Sequence, residues 1–138
     1  MIQRMSHVSI FVPDQDAAKE FYVDKLGFEV RTDASMPNGF RWLTVAPKGQ
    51  PDLEIILMKI GGAGKMSPED QEAMHRLVKN GALGAGAFYT ADCRKTYEEL
   101  KAKGVKFKSE PTEQFYGVET VLEDPFGNWF SMTQPKEH

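Results

Sequence analysis

A histidine and a glutamate stand out as residues that could do chemistry. His7 sits in the stretch SHVSIFVPD and Glu54 in the stretch DLEIILMK. Both stretches alternate as β-strands do, with successive side chains on opposite faces. In the first, Val8, Ile10 and Val12 share one face, and His7, Ser9 and Phe11 the other. In the second, Leu53, Ile55 and Leu57 share one face, and Glu54 lies on the other. An imidazole and a carboxylate so placed admit two kinds of chemistry. They can ligate a divalent ion such as Zn, Ni, Mn or Fe, with Glu54 doubling as a base that moves a proton. Alternatively they form a polar pair that orients an organic molecule, with no metal at all.

The elements that must position these residues follow from the rest of the chain. Its 138 residues suit one domain, long enough to bury roughly two-thirds of the unfolded surface without disulfides. The net charge is −3 with no block of Lys or Arg, which argues against nucleic acid and anionic membranes as partners. Cys93 is the only cysteine, which suits a reducing compartment. The N-terminal stretch has no long apolar core and no apolar run approaches about 18 residues, so a cytoplasmic protein is expected.

After the first strand, Asp14 is placed to cap a helix running to about Lys25, with Gly27 beyond its end. FEVRTD, FRWLTVAP and LEIILMKI read as three further strands, and Asn38-Gly39 signals a tight hairpin between the first two. Residues 5–60 thus read βαβββ. A glycine-rich linker leads to a helix at about 67–80, started by Ser67-Pro68-Glu69-Asp70. The linker is no phosphate loop, because Lys59 and Met66 stand where that pattern needs Gly and Ser or Thr. Residues 85–134 repeat βαβββ: AGAFYTAD, a helix capped by Asp92, then VKFKSE, VETVLED and WFSMTQ. Aligning the halves sets His7 on Ala85, Asp14 on Asp92, Trp42 on Glu119 and Glu54 on Ser131.

This tandem resembles the vicinal oxygen chelate superfamily of glyoxalases, bleomycin resistance proteins and extradiol dioxygenases. The residues that carry the resemblance are SHVSIFVPDQDAAKEFYVDKLGFEV, the LEIIL strand and the DPFGNWFSMTQ turn and strand. It implies an α+β fold in which paired βαβββ modules form a curved mixed-sheet cup with helices outside. It also implies metal-ligand positions at His7, Glu54, Ala85 and Ser131, of which only the first two carry usual ligands. Glu119 is a further possible ligand, sharing the cup-facing parity of Trp42. Phe11, Trp42, Tyr89, Tyr116, Trp129 and Ser131 are expected to line a ligand site. The half-complete ligand set favours a protein that binds a small organic molecule in the cup. The alternative is a metal-dependent lyase, isomerase or dioxygenase acting on vicinal oxygens. A homodimer is expected, with modules paired within or between chains.

Overall fold

The structure, a computed structural model, describes residues 1–62 and 64–137. The chain divides into two compact units, Met1–Val78 and Lys79–His138. The first contains β1 (His7–Val12), α1 (Gln15–Lys19) continued by a π-helical turn (Glu20–Lys25), β2 (Glu29–Ser35), β3 (Arg41–Ala46), β4 (Glu54–Lys59) and α2 (Pro68–Lys79). Its sheet has the order β1-β4-β3-β2, parallel between β1 and β4 and antiparallel elsewhere. The Asp14 carboxylate accepts from the Ala17 amide at 3.0 Å, as the capping pattern predicts.

One face of this sheet is closed. Ile10, Val12, Leu43, Val45 and Leu57 are buried with Ala18, Phe21 and Tyr22 of the helix. Each such aliphatic side chain contributes about 1.5–3 kcal/mol by leaving water. Gln15 ties helix to sheet, its amide donating to the carbonyls of Leu57 at 2.8 Å and Arg41 at 3.2 Å. The opposite face carries His7, Phe11, Trp42, Glu54 and Met58, all half-buried.

The second unit contains β5 (Gly84–Tyr89), α3 (Cys93–Ala102), β6 (Lys106–Phe107), β7 (Thr112–Gln114), β8 (Gly117–Glu123) and β9 (Trp129–Pro135). The order is β5-β9-β8-β6, with β7 paired to β8. Asp92 caps α3 through the Lys95 amide at 3.1 Å. Its closed face holds Leu122, Phe130 and Met132, with Phe88 stacked on Phe130 at 4.5 Å. Both units are mixed α+β, as the repeat predicts. Among the described residues, no helix is long and apolar enough to cross a membrane.

Three local expectations are corrected. The strand β7 was not foreseen: it has three residues, all exposed, and so no alternation to read. The hairpin at Asn38-Gly39 is not a two-residue turn. Gly39 has φ +88°, but among the described residues no non-glycine takes a positive φ, Asn38 included, and the connection spans residues 36–40, closed by the Met36 amide on the Phe40 carbonyl at 2.7 Å. A two-residue type I′ turn would need positive φ at both central residues.

The third correction concerns the register of the repeat. Residues 47–53 join β3 to β4, whereas residues 124–128 join β8 to β9, two residues fewer. The longer turn is stapled by Arg31, which donates to the carbonyls of Pro47, Gln50 and Pro51 at 3.0–3.3 Å. The shorter one is built on Asp124, whose Oδ1 accepts from the amides of Phe126, Gly127 and Asn128 at 2.9–3.0 Å. The two missing residues pull β9 back by two. Ser9 pairs with Ile56, while its counterpart Ala87 pairs with Ser131. Ser131 therefore matches Ile56, and the place of Glu54 is taken by Trp129. Ala85 lies in a register shift between Gly84 and Gly86. A two-residue slip preserves which face each side chain occupies.

Two predictions follow from these clamps. Asp124→Ala strands three amides and should cost on the order of 3 kcal/mol in urea denaturation. Arg41, and secondarily Lys19, hold the Asp33 carboxyl below the usual carboxylate range, through bonds of 2.9–3.0 Å. That stabilisation is complete above about pH 4 and is lost as pH falls towards the native value. Asp33→Asn should lower the melting temperature at neutral pH and flatten its fall in acid.

Candidate functional site

The parallel ladder sets His7 directly opposite Glu54. The two side chains meet on the open face, His7 Nε2 lying 3.1 Å from Glu54 Oε2. The second carboxylate oxygen, Oε1, accepts from the Thr44 hydroxyl at 2.7 Å. The other ring nitrogen of His7, Nδ1, is 2.8 Å from the Ser6 hydroxyl. Each polar atom of the pair therefore has a partner from the chain itself, and each side chain remains about a third exposed. The Trp42 ring stands 5.9 Å from the imidazole, and Phe40 stands 6.3 Å from Trp42. The result is a polar pair framed by aromatic rings on a half-open surface.

Thr44, Ser6 and Phe40 were not anticipated. Thr44 had a readable signal: it lies two residues after Trp42 on β3 and so shares the face of Glu54's neighbours. Ser6 precedes the first strand, where alternation gives no guidance.

The remaining expected residues are distributed as follows. Phe11 lies on the same face as His7, opposite Met58. In the second unit, Tyr89, Thr133 and Glu119 form one row across β5, β9 and β8. Glu119 is held by the Tyr116 hydroxyl at 2.5 Å and the Thr133 hydroxyl at 3.2 Å. The hydrogen bond that the Tyr116 phenol donates to Glu119, with the carboxylate's charge a lesser cause, pushes it above its ordinary range. Tyr89 is 81% exposed. Ser131 is half-buried between Ala87 and Val121. Trp129 packs against Gly84, where a Cβ would come within 2.8 Å of the indole and force it to shift. Lys108 covers it, with Nζ 5.8 Å from the ring centroid.

The donor set can be tested against a divalent ion. A catalytic Zn or related centre uses about three protein ligands. His7 and Glu54 supply two, already hydrogen-bonded to each other and to Ser6 and Thr44. The matching places in the second unit are Ala85 and Trp129, which carry no metal-binding group. Among the described residues, no three His, Cys, Asp or Glu side chains group together as a metal site. The residues present do not make a metal centre by themselves. Cys93 adds no reactive thiol, since burial raises its pKa.

Comparison with known proteins places this architecture. The family model for the glyoxalase/bleomycin resistance protein/dioxygenase superfamily matches residues 4–132. The uncharacterized protein YurT of Bacillus subtilis (strain 168) is 39% identical over 127 residues, covering 91% of this chain and 94% of YurT. The crystal structure of UcmS2 superposes with a TM-score of 0.92 at 43% identity, covering 97% of this chain and 99% of UcmS2. That of TnmS3, an antibiotic binding protein from Streptomyces sp. CB03234, superposes with a TM-score of 0.76 at 30% identity, covering 98% of both chains. The chain belongs to the glyoxalase/bleomycin resistance protein/dioxygenase superfamily.

Proposed function

We propose that this protein binds a flat or largely apolar small organic molecule on the open face of its first sheet, using an incomplete metal site as a polar anchor. The observation that carries this reading is the closure of the His7–Glu54 pair on Thr44 and Ser6, beside the ring of Trp42. Each oxygen of the Glu54 carboxylate keeps a lone pair beyond the one that His7 or Thr44 occupies, so the pair can accept from a ligand's hydroxyl while the aromatics cover its flat body. Similarity to TnmS3, described as an antibiotic binding protein, supports the same class of role.

We also propose a homodimer, on the strength of two exposed aromatic rings, Tyr89 on β5 and Phe115 in the β7–β8 turn, 81% and 89% exposed. The unpaired, buried Cys93 suits the cytoplasm. The direct opposition of His7 and Glu54 favours one second reading, a lyase, isomerase or dioxygenase that uses a divalent ion whose remaining ligands come from water or substrate. In that case Glu54→Gln would abolish both metal response and turnover rather than shift ligand affinity.

The two tryptophans make the binding reading testable by fluorescence, because Trp42 lies beside the pair and Trp129 in the other unit. Titration with bleomycin and a panel of planar polycyclic antibiotics should give saturable quenching in at least one case. The quenching should persist in Trp129→Phe and disappear in Trp42→Phe, and Trp42→Ala should weaken binding about tenfold or more. Affinity unchanged in both Trp42→Ala and Glu54→Gln would contradict the assignment of this face.

A further inference from the structure

The first unit contains a second cavity that the His7–Glu54 pair does not use. It lies at the far end of the open face, where Phe11 and Met58 form a floor and α2 faces them, and it measures about 560 Å³. Phe11 is four residues along β1 from His7, about 13 Å at the rise of a strand. The helix contributes Asp70, Ala73, Met74 and Leu77, the i, i+3, i+4, i+7 spacing of a single helical face. That face is not satisfied by the protein itself: of the twelve residues of α2, only Val78 is buried, and Leu77 is 38% exposed. Met66 completes an apolar wall that is rich in thioethers, and such walls adapt their shape to what they hold. Lys59 and Lys65 stand at the rim against the single acid Asp70. Among the described residues neither lysine is engaged in an ion pair.

We propose that this groove is a separate binding site for an apolar organic acid of small-molecule size. The body of the ligand lies between Phe11, Met58 and the Met74/Leu77 face of α2, and its acidic group meets Lys59 and Lys65. The volume is in the range that accommodates a drug-sized molecule, and the excess of cations at the mouth selects an anion over a cation. The site stands apart from the pair at His7 and does not depend on the role assigned to it.

The test uses the full chain with two fluorescent probes, the anionic 8-anilinonaphthalene-1-sulfonate and the neutral N-phenyl-1-naphthylamine. Both should bind the folded protein, at roughly one molecule per chain. Lys59→Gln/Lys65→Gln should weaken the anionic probe about fivefold or more and leave the neutral one unchanged. Ala73→Trp, which fills the groove, should abolish both, while His7→Ala should alter neither. Loss of binding in His7→Ala would assign the probes to the other site and overturn the proposal. So would binding that survives Ala73→Trp in a protein of unchanged melting temperature. A dimer that dissociates on Ala73→Trp, with no probe bound by either form, would show a second copy as the occupant and would equally overturn it. Should Ala73→Trp fail to fold, the lysine pair decides alone, since both residues are exposed and lie outside the core.

Discussion

A carboxylate set among aromatic and aliphatic side chains on a sheet face is tolerated only where donors meet its oxygens. Glu54 satisfies this constraint through Thr44 on one oxygen and His7 on the other. The solution depends on strand order. Because β4 lies between β1 and β3, a residue on its open face has neighbours on both sides, and the parallel register brings His7 level with Glu54. The closed face holds that order in place, since Leu43, Val45 and Leu57 are fully buried. A disturbance of the core would therefore reach the pair by shifting strands before it touched any polar atom.

The two halves share an architecture and have diverged in what their open faces present. In the second, a carboxylate stands at Glu119 on β8, where the Tyr116 and Thr133 hydroxyls donate to its two oxygens. The place of Glu54 itself is occupied by Trp129, held between Gly84 and Lys108. A large aromatic ring at that place adds apolar area and no charge.

The sequence displayed most of the fold because its signals were periodic. Alternation marked β1, β3, β4, β8 and β9, and Asp14 and Asp92 marked the helix starts. The opposition of His7 and Glu54 was also legible, because it requires only that both lie on the polar faces of neighbouring strands. The repeat register was legible only to within two residues. An ungapped alignment preserves face parity, so placing Ser131 rather than Trp129 opposite Glu54 broke no pattern. The difference is set by turn length, and nothing local in the strands records it. The face of Thr44 was readable but its partner was not, and Ser6 precedes the first strand, where alternation gives no guidance. Their role appears only once strand order fixes which side chain lies beside which.

Superfamily membership is compatible with either an ion or an organic ligand at His7 and Glu54, and the organic ligand is our proposal, because Ser6 and Thr44 already close the pair. Metal content and thermal melting of the purified, untagged protein test this most directly, with and without added Ni, Zn, Mn and Fe(II). A ligand that binds only the folded chain raises its melting temperature by mass action. The account predicts well under one equivalent of retained metal and no shift on addition. About one equivalent, or an upward shift that disappears in His7→Ala, would contradict it.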